Sequence, residues 1–351
     1  MPRVGLLLVN LGTPERPDPA AVRAYLKEFL SDPRVFDLPA WKRWLILNLF
    51  ILPRRPKLSA HAYRAIWTER GSPLLVHGQD LAAKVQARLG EAVQVELAMR
   101  YGQPSIPAAL ERLTASGIDR IVVFPLYPQH ASATTGSSLQ AVFEALGRLW
   151  TIPSLQVVPA FHDHDAFISA FAGVARPVLD AARPERVLFS FHGLPERHLR
   201  KADPAGTHCL KDARCCAELG PANASCYRAQ CFATAARLGE RLGLSPEQRV
   251  VSFQSRLGRE VWIRPYTEEV LTALAKEGVR RLAVLSPAFV ADCLETLEEL
   301  GLRGAETFRA AGGEELTLVS SLNAHDAWAD AVVTIAREHA SWLKDAGPAP
   351  A

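Results

Sequence analysis

The chain has 351 residues, a length that predicts two domains of about 150–175 residues each. Apolar residues at 48% and charged residues at 22% are ordinary globular values, and a formal net charge of +3 is too small to favour nucleic acid as a partner. No apolar run approaches the roughly 20 residues of a membrane span, and Val4–Val9 is too short for a signal peptide, so a cytoplasmic protein with reduced thiols is expected.

Val4–Val9 reads as a buried parallel strand stopped by Gly12 and Pro14. Asp18 precedes a predicted helix, Pro19–Leu30. In Leu38–Lys57 the centre, Trp44–Leu52, is apolar nearly all round, with Asn48 as its one polar residue. Lys42, Arg43, Arg54, Arg55 and Lys57 flank it. The pattern fits a core helix with charged ends, or an exposed apolar lip that meets a flat ligand or a lipid headgroup layer. Helices are predicted at Gly78–Leu89 and Ile106–Ser116, and strands at Val93–Met99 and Asp119–Phe124. The hydroxyl-rich segment Pro125–Ser138 leads into a helix over Leu139–Leu149. Such a turn holds an anion or serves as an ordinary helix cap.

The second half repeats the first. Arg186–Pro195 echoes Arg3–Pro14, each a buried strand followed by Gly-x-Pro. Val250–Arg256 echoes the strand ending at Arg100. Thr267–Leu285 echoes Ile106–Phe124, a helix running through Gly into a strand. A duplicated α/β unit is expected, with a cleft built from the loops after the strands. The expected boundaries are 1–152 for the first unit, with the lip at 38–57, and 153–322 for the second, with a cysteine-rich insert at 203–231. A last helix, Ala324–Lys344, closes a segment 323–345 that packs back on the first unit. Neither G-x-G-x-x-G after a strand nor G-x-x-x-x-G-K-[ST] occurs, so dinucleotide and nucleoside triphosphate sites lack support.

Two constellations stand out. Ala288–Leu300 reads as a helix with a core stripe of Val290, Leu294 and Leu297 and an opposite face of Asp292, Glu295 and Glu299. This face is a solvated acidic surface unless it belongs to a site. Its place just beyond a buried strand, where open α/β sheets bind ligands, favours the site. His192 is expected in the same crevice, where imidazole can accept a proton or bind a metal and carboxylates can pass protons or hold a hard cation. The second constellation is Cys209, Cys215, Cys216, Cys226 and Cys231, spaced C-x5-C-C-x9-C-x4-C. In a reduced compartment this density points to metal, either zinc in a four-ligand site or an iron–sulfur cluster, with one thiol spare. The spacing favours the cluster. Cys293 is expected to line a pocket or pack.

The chain resembles the ferrochelatases, which insert ferrous iron into porphyrin. The motifs are Val9–Pro14, Arg100-Tyr101, Tyr127–Ser138, Ser190–Pro195, Phe253–Ser255, Trp262 and Ala291–Glu299, in family order over nearly the whole chain. The resemblance implies an α/β fold of two Rossmann-like, doubly wound parallel-sheet domains with the porphyrin in the cleft between them. It implies that His192 is the active-site histidine, that Glu295 is the glutamate opposite, and that Asp292 and Glu299 continue an acidic path for Fe2+ or protons. It implies porphyrin contacts at Leu11, Arg54, Arg100, Tyr101, Tyr127, Ser137 and Trp262. Leu11 stands where the coproporphyrin-using branch tends to have Tyr, which favours protoporphyrin IX. The cysteine segment is similar to that of relatives carrying a [2Fe–2S] cluster. Peripheral contact with the cytoplasmic membrane through the lip is expected, and nucleic acid is not. The alternatives are chelation in another tetrapyrrole (coproporphyrin III, or cobalt as the metal) and a non-catalytic haem carrier or iron–sulfur sensor.

Overall fold

The opening apolar run forms β1, Val4–Gly12, in the computed structural model, which describes residues 4–212, 214–256, 258 and 260–344. Leu6, Leu7, Leu8 and Val9 are all 0% exposed, as expected for a parallel strand covered on both faces. Asp18 caps α1, Pro19–Ser31, by accepting from the N–H groups of Ala20 and Ala21. Then come α2 (Ala40–Ile46), a π turn at Leu47–Ile51, α3 (Arg55–Ile66), α4 (Pro73–Leu89), β2 (Val93–Tyr101), α5 (Ile106–Ala115) and β3 (Arg120–Pro125). A second π turn, Ser132–Gly136, runs into α6, Ser137–Leu146, and β4 is Ser154–Val157. These strands form one parallel sheet in the order β2-β1-β3-β4.

The chain continues with α7 (Asp165–Ala182), β5 (Arg186–His192), α8 (Glu196–Lys201), α9 (Tyr227–Leu242), β6 (Arg249–Gln254), α10 (Thr267–Lys276) and β7 (Arg281–Leu285). A π helix, Glu295–Gly304, passes into α11, Ala305–Ala310, and β8 is Glu315–Leu318. The second sheet is also parallel, in the order β6-β5-β7-β8. Last come α12 (Asp326–His339) and α13 (Ser341–Lys344). The single closing helix expected from sequence is therefore broken, at Ala340, which is extended at φ −127° and ψ 103°.

The described residues fall into two units. The first takes in the described residues of Met1–Tyr127, Ser132–Pro159 and Asn323–Ala351, and the second Pro128–Ala131 and Ala160–Leu322. Within the first, α12 packs on α4, where Arg88 meets Asp330 at 2.5 Å and Asp326 at 3.0 Å. Its core joins Leu7, Val9, Ile121 and Val123 from the strands to Leu110, Leu113 and Val142 from α5 and α6. The core of the second joins Leu188, Leu282 and Val284 to Leu271, Leu274, Leu300 and Phe308. In both sheets the chain leaves the first strand toward one neighbour and later returns to the other side. This reversal makes a switch point beyond the C-terminal ends of β1 and β3, and of β5 and β7.

Candidate active site

In the second unit, β5 ends on His192 and turns at Gly193. A Cβ on Gly193 would lie 2.8 Å from the Gln254 carbonyl oxygen and 3.3 Å from the Trp262 ring, so only glycine permits this approach. The Gly193 N–H donates to the Gln254 carbonyl at 2.7 Å, and Pro195 bridges to Trp262. His192 Nδ1 lies 2.6 Å from the Gly193 carbonyl oxygen. A carbonyl only accepts, so Nδ1 carries a proton, and Nε2 is the nitrogen at which the ring exchanges one. Phe289 flanks the ring edge-on, with centroids 6.3 Å apart.

The acidic face expected over Ala288–Leu300 differs in an instructive way. Residues 288–293 are not helical, and Glu295–Gly304 is a π helix entered at Leu294. Thr296, Leu300 and Gly304, spaced by four, are its buried positions, while Leu294 and Leu297 are only half-buried. The i→i+5 bonding of a π helix widens the turn, so a stripe inferred from 3.6-residue periodicity misses the face that packs. Glu295 and Glu299 remain one turn apart, both half-buried. Burial raises the Glu299 carboxyl above its ordinary value, and Glu295 adds to the rise. The Ser255 hydroxyl, which donates to Glu299 at 2.6 Å, opposes it, as do His192 and Arg303. His192 and Glu295 therefore each lie within electrostatic reach of Glu299. Arg303 is engaged chiefly by Glu298, with Nε 2.9 and 3.0 Å from its two oxygens.

Asp292 is placed differently. It is 5% exposed, and its Oδ1 accepts from the Ser321 N–H and the Thr296 hydroxyl, both at 3.1 Å. It thus pins the loop that leads into the π helix. Cys293 is buried and hydrogen-bonds Glu295, and burial together with that carboxylate keeps the thiol protonated as a donor. Gln254 and Ser255 are two further site residues. Gln254 Nε2 donates to the Glu295 carbonyl at 2.9 Å, tying the end of β6 to the start of the π helix. Ser255 adopts φ +66°, a left-handed conformation that aims its hydroxyl at Glu299.

In the first unit, Arg100, Tyr101 and Ser137 do come together, around Asp32. Arg100 Nη2 lies 2.7 Å from Asp32 Oδ2, the Tyr101 hydroxyl donates at 2.8 Å, and Ser137 donates at 2.5 Å. Burial pushes the Asp32 carboxyl up, but Ser137, the Arg34 N–H, Tyr101 and Arg100 outweigh it and hold the group below its ordinary value. The Tyr127 hydroxyl lies 3.2 Å from Ser138 Oγ. Leu11 is half-buried in β1, and Arg54 is exposed at the start of α3. Trp262, in the second unit, is 8% exposed.

A family model described as ferrochelatase matches residues 3–340. The chain belongs to the ferrochelatase family. It is 52% identical over 334 residues to the ferrochelatase of Azotobacter vinelandii, covering 95% of this chain and 98% of that one. It is 48% identical over 336 residues to the ferrochelatase of Stutzerimonas stutzeri, covering 95% and 98%. Membership makes the protein a metal chelatase with Fe2+ and a porphyrin as substrates. Among solved structures, SirB from Bacillus subtilis with Fe3+ superposes at a TM-score of 0.56 with 12% identity, covering 98% of this chain and 99% of that one. The sirohydrochlorin chelatase SirB of Bacillus subtilis subspecies spizizenii, in complex with cobalt, gives 0.54 with 13% identity, covering 97% and 96%. These likenesses establish a shared two-domain α/β fold.

Of the five clustered cysteines, four are neighbours. Cys215 and Cys216 Sγ atoms lie 3.7 Å apart, and Cys226 is hydrogen-bonded by Cys216 and by Cys209. The hydrogen bond from Cys216 brings Cys226 down to about 6 against its burial, helped by the Ala229 N–H in the first turn of α9. Burial, then Cys226, pushes Cys209 up to about 12. Arg228 Nη1 is 3.3 Å from Cys216 Sγ. Cys231 sits apart, fully buried in α9 against the Tyr227 hydroxyl. Among the described residues, no three His, Cys, Asp or Glu side chains are placed to hold one metal ion. The thiols touch in pairs.

Proposed function

We propose that the protein inserts Fe2+ into protoporphyrin IX, releasing two protons and giving protohaem in haem biosynthesis, with His192, Glu295 and Glu299 as the reacting groups. The observation that carries this reading is the His192 hydrogen bond: Nδ1–H is committed to Gly193, which leaves Nε2 as the nitrogen that can take up a proton. A free-base porphyrin has two N–H groups and gives up both as the divalent metal takes its four nitrogens, with no change of oxidation state. His192 Nε2 takes a pyrrole proton. The Glu295 and Glu299 carboxylates offer oxygens to a hard cation or to the departing protons. Leu11 brings no hydroxyl, which supports protoporphyrin IX over coproporphyrin III. Arg54, exposed and with no carboxylate partner among the described residues, suits a propionate better than Arg100, whose guanidinium is already on Asp32. Asp292 supports the row from behind, and Tyr127 and Trp262 are retained as porphyrin contacts. Tyr101 and Ser137, expected as contacts, are 0% exposed with their hydroxyls on Asp32 and serve as scaffold instead.

The donor chemistry of Cys209, Cys215, Cys216 and Cys226 supports a [2Fe–2S] cluster as resident cofactor: four thiols in a connected group, with Cys226 ionising near neutrality. Bound there, such a cluster would supply cross-links between the insert and α9. The lip supports peripheral contact of a cytoplasmic protein with the membrane. Trp41 and Trp44 are each 61% exposed, Leu49 56% and Phe50 59%, amid Lys42, Arg43, Arg54, Arg55 and Lys57. No helix of the described residues is long and apolar enough to cross a membrane.

The test is anaerobic insertion of zinc or iron into protoporphyrin IX, followed by loss of porphyrin fluorescence, for the wild type, His192→Ala and Glu295→Gln. Both variants should lose roughly 10²–10⁴-fold in kcat. Wild-type rates in both would overturn the assignment, and faster turnover of coproporphyrin III would overturn the Leu11 reading. For the lip, Glu at Trp44 and Phe50 should abolish sedimentation with anionic vesicles. Leu47 is unsuitable for that test, being 3% exposed.

A further inference from the structure

One residue holds the backbone at both of the groups assigned to the chemistry. Gln254 is the last residue of β6 and stands opposite His192 in the ladder with β5. Its backbone carbonyl accepts from the Gly193 N–H at 2.7 Å, which holds the turn to which the imidazole is hydrogen-bonded. Its side-chain Nε2 donates at 2.9 Å to the carbonyl of Glu295, the first residue of the π helix.

The amide is itself held, by a chain of hydroxyls that runs in one direction. The Glu295 carbonyl only accepts, so Nε2 faces it and Oε1 faces Ser190, whose Oγ lies 2.6 Å away. Ser190 spends its one proton on that oxygen, so Thr267, 3.0 Å off at the start of α10, donates to Ser190. Thr267 then has no proton left for Ser252, at 2.8 Å, and accepts from it. All four side chains are buried. Ser286 steadies the same strand by donating to the Ser190 carbonyl at 2.9 Å. A buried network in which each member has its partner fixes the amide in one orientation.

We infer that Gln254 is a positioning residue that sets how His192 and Glu295 stand to each other, and that the Ser252–Thr267–Ser190 chain holds it in place. Once the rotamer is fixed, the span from its backbone carbonyl to its Nε2 is fixed. The turn after β5 and the entry to the π helix are then held at one spacing by one side chain. Gln254 takes no proton and binds no metal; it acts through the two peptides it holds. A misplacement of about 1 Å at reacting groups costs up to about 100-fold in rate. The proposal rests on the reading of His192 and Glu295 as reacting groups.

The experiment compares the full-length wild type with Gln254→Met, Gln254→Asn, Ser190→Ala and the double variant Ser190→Ala/Gln254→Met. It reads kcat per folded molecule and porphyrin KM for zinc insertion into protoporphyrin IX, at a temperature below every transition, and Tm beside them. Gln254→Met keeps the length and removes the donor. Gln254→Asn keeps both polar atoms but is about 1.5 Å shorter. Each should lose about 10–100-fold in kcat with porphyrin KM unchanged. Ser190→Ala frees the amide without removing it and should lose about 3-fold. The double variant should be no slower than Gln254→Met alone. Wild-type kcat in Gln254→Met with a lowered Tm would reduce Gln254 to a structural residue and overturn the proposal, as would a raised KM with kcat kept. Multiplying losses in the double variant would overturn the role of the hydroxyl chain. Should Gln254→Met not fold, Gln254→Asn decides the positioning role, and wild-type kcat there would overturn it. His192→Ala and Glu295→Gln are assayed in the same series. Wild-type rates in both would sink the reading of the reacting groups and this proposal with it, whereas losses in both beside an unchanged Gln254→Met would sink this proposal alone.

Discussion

The two units repeat one plan and spend it on opposite electrostatics. Their sheets run β2-β1-β3-β4 and β6-β5-β7-β8. Each first strand ends in Gly-x-Pro, at Gly12 and Gly193, and each of these glycines presses on the neighbouring strand. At Gly12, with φ +118°, a Cβ would stand 1.8 Å from the Tyr101 carbonyl oxygen. Each third strand is followed by a π segment that runs into an α-helix. At the strand ends of the first unit, one buried carboxylate, Asp32, is neutralised by Arg100 and three hydrogen bonds from side chain and backbone. At the equivalent ends of the second, Glu299 feels both Glu295 and His192, and the guanidinium that reaches it, Arg303, is spent mostly on Glu298. Leu11 precedes Gly12 where His192 precedes Gly193. The switch point is common property of the fold; on the proposed reading, uncompensated charge beside His192 is what makes one copy reactive.

The contrast is open to attack from the stability side first. Asp32→Asn should destabilise by about 3 kcal/mol in urea unfolding, because Arg100 is left without its partner in a mostly buried place. Unchanged stability would show that the first site is not the scaffold described. The next effect is smaller. Ser255→Gly keeps the left-handed backbone without strain but removes the hydroxyl from Glu299. The acid limb of the kcat/KM profile should then move up by about one pH unit, and a fixed limb would remove Glu299 from the row.

The smallest effect sets the two carboxylates against each other in pH. Glu299 is raised on folding, so the folded chain holds a proton that the unfolded chain has lost, and stability falls as pH climbs through that window. Glu299→Gln should therefore raise Tm above the carboxylate range and lose that advantage at lower pH. Asp32 is depressed, so its contribution is present above the unfolded value and fades as pH falls through the folded one. The same sign of pH dependence at both positions would erase the distinction between them.

Much of this was legible in the chain. Buried runs bounded by Gly and Pro located the first three strands of each sheet, and the ordered motifs pointed to the family. What escaped detection did so for identifiable reasons. The π helix at Glu295–Gly304 defeated a stripe drawn at 3.6-residue spacing, since its buried face recurs every four residues. Asp32 follows α1 with no motif around it, and only tertiary contacts with Arg100, Tyr101 and Ser137 give it meaning. Ser255 carries no sign of its positive φ, because serine is not a residue that advertises the left-handed region. Cys231 could not be separated from its four neighbours by spacing, whereas its position inside α9 against Tyr227 does so.

The most direct test measures kcat per folded molecule and Tm side by side for Glu295→Gln and Asp32→Asn, at a temperature below both transitions. The account predicts that Glu295→Gln loses about 100-fold or more in kcat with Tm preserved, while Asp32→Asn keeps its kcat and loses Tm. Equal losses of kcat in the two variants would contradict it, because the chemistry would then belong to both units alike.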